Sequence, residues 1–135
     1  MPIGPSPLGL AYFAAIKLGG YTAAATYLRH QHPDAKTSIW VVGATRTAIG
    51  LAVGISVSLL AENYGLTHSE RGFYLLLLPI RMLEWLALLA LFYRRPAWNW
   101  SRSLRFAAYG TVWSYVLDLP AILAVIYVPG GAWVC

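Results

Sequence analysis

The chain has 135 residues, 59% apolar and only 11% charged, with a formal net charge of +5. Soluble domains usually carry about a quarter charged residues, so this balance excludes an ordinary water-facing surface and points to lipid as the solvent. A single cysteine, Cys135, excludes an intrachain disulfide, a thiolate metal cage and a dithiol redox motif.

The N-terminal MPIGPSP has three prolines and no Lys or Arg. It lacks the positive n-region of a secretory signal, so cleavage there is not expected. The first span is Leu8 to Leu28, with Lys17 near its centre. Gly19, Gly20, Ala23, Ala24 and Ala25 would allow close helix contact, and Tyr12, Tyr21 and Tyr27 add amphipathic rings. The loop RHQHPDAKTS follows, residues 29–38. Pro33 stops the helix, and Asp34, Thr37 or Ser38 can cap the next one. His30 and His32 have the look of a metal pair, but on a basic loop with one nearby acid they read as a solvated turn, and no metal is expected.

The second span is Ile39 to Ala61. Gly43, Thr47, Gly50, Gly54 and Ser58 form a stripe of small residues at helical spacing, and Gly50 with Gly54 makes a small-xxx-small pair. Arg46, four residues before Gly50, lies on the same side and therefore faces the bundle. In the link ENYGLTHSERG, Gly65 suits a helix end, and Thr67 with Glu70 fits a capping box. The third helix is thus expected to begin before its apolar run, which spans Phe73 to Tyr93. At 1.5 Å per residue that run is long enough to cross a bilayer core. Arg81 and Glu84, three positions apart, share a face near its middle, with a kink expected at Pro79.

The segment RRPAWNWSRSLR reads as an interfacial anchor, with Trp98 and Trp100 at headgroup level and Arg94, Arg95, Arg102 and Arg105 against anionic lipid. Its basic and aromatic mixture resembles a nucleic-acid patch in composition alone, and no nucleic-acid partner is expected. The fourth span, Phe106 to Val128, places Thr111, Ser114 and Asp118 on one face, with a second kink expected at Pro120. The tail PGGAWVC is uncharged.

The expected fold is therefore an all-α integral membrane protein, a four-helix transmembrane bundle with short loops forming a single domain over 1–135. The loops on one side, 29–38 and 94–105, hold Arg29, Lys36, Arg94, Arg95, Arg102 and Arg105, while the opposite side has Arg71. This bias predicts those loops in the cytoplasm and both termini outside, in a bacterial inner membrane or plasma membrane. The sequon Asn99-Trp100-Ser101 would then lie in the wrong compartment for glycosylation.

Counting 1.5 Å per residue from the cytoplasmic ends puts Lys17 about 16 Å deep, Arg46 about 10 Å, Glu84 about 14 Å, and Arg81 and Asp118 about 18 Å each. All four spans contribute an ionisable group to one central layer. An isolated charge there costs roughly 2.5–3.5 kcal/mol on insertion scales, so the layer should be internally paired. Depth and sign suggest Arg81 with Asp118, and Glu84 between Lys17 and Arg46. Three bases against two acids leave one positive charge, to be met by a neutral Lys17, by a partner subunit's acid or by an anionic ligand.

No metalloprotease, nucleophile-elbow or phosphate-loop motif is present, and no cofactor is expected; Gly54-Ile55-Ser56-Val57-Ser58 only partly resembles the elbow. The favoured function is conduction or transport of protons, ions or a small solute, anionic ones included, by an oligomer. An accessory subunit of a larger membrane complex is the alternative, followed by a membrane-embedded lipid-modifying enzyme using Glu84 or Asp118. The buried charges can equally serve structure, by fixing helix register.

Overall fold

A computed structural model describes residues 7–33, 36–63, 70–93 and 99–127. They form four α-helices: α1 Pro7–Gln31, α2 Ile39–Asn63, α3 Glu70–Tyr93 and α4 Trp100–Tyr127. Each outruns its apolar stretch by a few residues at one or both ends. Ser38 opens α2, its carbonyl accepting the Val42 N–H at 3.2 Å. Asp34 and Thr67, two of the expected capping residues, lie outside the described residues.

The start of α4 differs from expectation. Residues from Trp100 onward are helical, although the arginine-rich segment reads as a loop. Asn99 is the reason. Its side-chain Oδ1 accepts the Arg102 N–H at 3.1 Å and its carbonyl accepts the Ser103 N–H at 3.0 Å, which is an N-cap. Arginine is a good helix former, so a capped start carries the helix through the basic residues. Pro79 and Pro120 lie inside α3 and α4, which continue past both rings.

The helices pack as a ring in chain order. α1 packs most extensively on α2, and α3 on α4; α4 then closes against α1, and α2 against α3. The diagonal pairs meet through side chains alone. Glycines set three of the contacts. A Cβ on Gly43 would overlap Thr22 of α1, one on Gly20 would overlap Leu117 of α4, and one on Gly110 would overlap the Trp85 indole of α3. The α1–α2 and α3–α4 hairpins thus close on glycine notches, as small-residue packing requires.

Around Tyr21, Ala25, Leu28, Val42, Trp85, Leu88 and Ala107 the core is apolar. The outside is apolar too. Leu75, Leu83, Leu91 and Tyr109 are 71%, 65%, 67% and 71% exposed. By length and composition, one helix among the described residues is long and apolar enough to cross a membrane, α2 over Ile39–Val57.

A candidate site built from buried charges

Lys17, Arg46, Arg81, Glu84 and Asp118 are all buried, with Arg46 and Arg81 each 1% exposed. Asp118 of α4 holds two cations. Its Oδ1 accepts from Lys17 Nζ of α1, and its Oδ2 lies 2.5 Å from Arg81 Nη2 of α3. The second contact is close in distance without being aligned as a hydrogen bond. Glu84 of α3 takes the remaining cation, with Oε2 2.7 Å from Arg46 Nη2 of α2.

Lys17 therefore pairs with Asp118, not with Glu84. The ring order explains the difference. α1 lies beside α4 and diagonal to α3, so a shared depth does not bring Lys17 to Glu84 while Asp118 faces it directly. Lys17 Nζ also donates to the Ser114 carbonyl at 3.2 Å and sits 5.2 Å from the centre of the Phe13 ring.

At the centre lies Ser114, which the sequence placed on the Asp118 face without assigning it a role. Its hydroxyl donates to the Gly110 carbonyl at 2.9 Å. It accepts from Trp85 Nε1 at 3.0 Å, from Tyr21 OH at 3.3 Å and, more weakly, from Arg46 Nη2 at 3.5 Å. One side chain of α4 thereby meets donors from all three other helices. With its proton committed to a carbonyl, Ser114 is an organising acceptor and not an activated nucleophile. Tyr21 and Trp85 pack edge to face at 5.8 Å, and the Arg46 guanidinium lies 4.7 Å and 5.3 Å from their ring centres. The Arg81 guanidinium sits 4.2 Å from the Tyr115 ring centre. Aromatic faces thus replace part of the hydration that burial removes from both arginines.

That replacement is incomplete. Arg46 Nε and Nη1, and Arg81 Nε and Nη1, are buried without a hydrogen-bond acceptor. Such donors lose hydration without compensation. Among these five buried groups, three cations face two carboxylates.

The expected interfacial residues that are described fall at one end of the bundle. Trp100, Arg102 and Arg105 are exposed on the first turns of α4, while Arg94, Arg95 and Trp98 lie outside the described residues. Arg102 Nη2 donates to the Gln31 carbonyl at 3.4 Å, tying the start of α4 to the end of α1. His32, read from sequence as part of a solvated turn, is half-buried there, 5.3 Å from the Tyr93 ring and 5.6 Å from Phe106. Its contacts come from two distant helix ends, which local composition does not reveal.

Comparison with protein-family models, curated proteins and solved structures gave no match.

Proposed function

We propose that the chain is a small polytopic membrane protein, all four helices spanning the bilayer, that conducts or transports protons, ions or a small solute as an oligomer. The observation that carries this reading is an inverted polarity. Among the described residues, the five charged side chains Lys17, Arg46, Arg81, Glu84 and Asp118 are buried in the middle of the bundle, while large apolar side chains cover its outside. Water as solvent disfavours both halves of that arrangement, and lipid favours at least the second. Ionisable groups inside membrane helices mark ion paths, relays and binding sites, and three cations against two carboxylates among these five groups, with orphaned donors on both arginines, supply an unbalanced charge for such a path. Four helices make a thin wall for a complete pathway, hence the oligomer.

A second reading has its own support. Lys17–Asp118 joins α1 to α4 and Arg46–Glu84 joins α2 to α3, so both pairs staple one hairpin to the other. An accessory subunit needs that registry and no pathway. Reconstitution separates the two. Purified protein in liposomes should dissipate an imposed proton or anion gradient faster than protein-free vesicles. Absence of flux, with stable co-purification of another membrane protein, would sink transport in favour of the accessory role.

A further inference from the structure

We propose that a groove between α1 and α4 binds one anionic phospholipid, with its phosphate on Arg29 and His30 and a stretch of one acyl chain along the groove. The site rests on the membrane-spanning reading but does not depend on transport. The groove has a volume of about 320 Å³ and is lined by Ala23, Ala24 and Tyr27 of α1 and by Phe106, Tyr109 and Trp113 of α4. Side-chain sizes shape it. Ala23 and Ala24 leave a low wall on α1. Gly110 admits the Trp85 indole of α3 as part of the lining, since a Cβ there would overlap the ring. Trp113 Nε1 donates to the Gly20 carbonyl at 2.9 Å, which holds this indole across from α4 to α1 at the inner end. Tyr27 and Tyr109 are 59% and 71% exposed, so the groove lies on the outside of the bundle.

Charge identifies the occupant. Ala23 and Tyr27 also line a second space, of about 780 Å³, together with Thr26, Arg29, His30 and Pro33. An apolar space thus runs into a basic one at the end of α1, where Arg29 and His30 are exposed. From Arg29 back to Ala23 is about 9 Å along the helix, toward the bilayer centre. A phosphate at headgroup level with an alkyl chain below it has the same polarity. The guanidinium fork of Arg29 suits phosphate oxygens. A zwitterionic head would bring a cation back to the same basic end, so a net negative head fits better. Size excludes a helix. Phe106 to Trp113 spans about 10 Å, and a helix of that length occupies roughly three times the volume of the groove.

Native mass spectrometry of the purified protein in a mild nonionic detergent tests the site, with dioleoyl phosphatidylglycerol and dioleoyl phosphatidylcholine offered in equal amounts. Wild type should retain one phosphatidylglycerol per chain in preference to phosphatidylcholine. Arg29→Gln should lower that preference about fivefold, the effect of one basic residue near an anionic headgroup. Lys36→Gln removes the same charge from a neighbouring exposed residue that lines neither space, and should leave the preference unchanged. Ala23→Phe fills the groove from its exposed side and should abolish retention of both lipids. Equal retention of the two lipids by wild type overturns the site, as does an equal loss in Arg29→Gln and Lys36→Gln, which marks diffuse attraction. Full retention in a folded Ala23→Phe overturns it too, as does displacement of the lipid by excess inorganic phosphate. Should Ala23→Phe not fold, the comparison of Arg29→Gln with Lys36→Gln decides. Lipid preference in a protein without flux leaves the site standing and removes the transport reading. Flux in a protein that retains both lipids equally does the reverse.

Discussion

Asp118 sits between Lys17 and Arg81, one carboxylate oxygen for each cation, and so joins α1, α3 and α4 at a single side chain. The two cations do not depend on it equally. Lys17 also has the Ser114 carbonyl, while Arg81 has the Tyr115 ring and donors without acceptors.

This sharing predicts an order of damage. Asp118→Asn leaves two buried cations without their carboxylate and should cost at least the roughly 3–5 kcal/mol typical of breaking a buried pair. Arg81→Gln leaves Asp118 still paired with Lys17 and should cost distinctly less. Exchanging the two charges, Arg81→Asp with Asp118→Arg, should rescue little, because it sets a guanidinium against Lys17. Melting temperatures of the three variants in one detergent check the order. Equal losses for Asp118→Asn and Arg81→Gln would show that Asp118 does not serve both cations.

The limits of the sequence are clear at this same residue. Apolar stretches and loop breakers mark the four helices, and three- and four-residue spacing puts Ser114 and Asp118 on one face. Partner choice needs a second coordinate. Depth follows from counting along each helix, but the order of helices around the ring decides whether Lys17 meets Glu84 or Asp118. Nothing local to Lys17 encodes that order. Trp85 is a similar case: Gly110, one turn before Ser114, is the only trace in sequence of the indole it admits. Asn99, read as part of a sequon, acts through its carboxamide as a helix cap.

Ser114→Ala is predicted to be more harmful than the loss of one hydroxyl suggests. It removes the shared acceptor of Trp85 Nε1 and Tyr21 OH, leaving buried donors unsatisfied. About 1–3 kcal/mol of destabilisation is expected. Chemical denaturation of the variant measures it, and wild-type stability would show that the two donors find other acceptors.

Paired glycine substitutions test the packing. Gly110→Ala places a methyl group into the Trp85 indole and should cost about 1–3 kcal/mol through overpacking. Gly19→Ala meets nothing and should stabilise by up to about 1 kcal/mol through helix propensity. Opposite signs of melting shift are the expected result. A stabilising Gly110→Ala would mean that α3 and α4 pack less closely than described.

The orientation expected from the six basic residues in segments 29–38 and 94–105, against Arg71 on the other side, can be tested by labelling. In a Cys135→Ser background, Ser101→Cys should react with a membrane-impermeant thiol reagent only from the cytoplasmic side. Asn63→Cys, exposed at the far end of α2, should react only from outside. Labelling of Ser101→Cys in intact cells would reverse the orientation.

Glu84 decides between path and staple. Among the described residues it is the single carboxylate paired with Arg46, and its neighbour Trp85 donates to Ser114, so it stands between the charge pairs and the polar centre. In a conducting protein it is the group expected to change its protonation or partner during turnover. Glu84→Gln keeps its shape and removes its charge. A transport role predicts a folded, assembled protein with flux reduced by an order of magnitude or more. A purely structural role predicts the opposite pattern, because Arg46 is left uncompensated and stability should fall by about 3–5 kcal/mol. Flux in reconstituted vesicles and melting must therefore be measured on the same preparation. Flux at the wild-type rate, together with a lowered melting temperature, would make the Arg46–Glu84 pair a staple and remove Glu84 from any pathway.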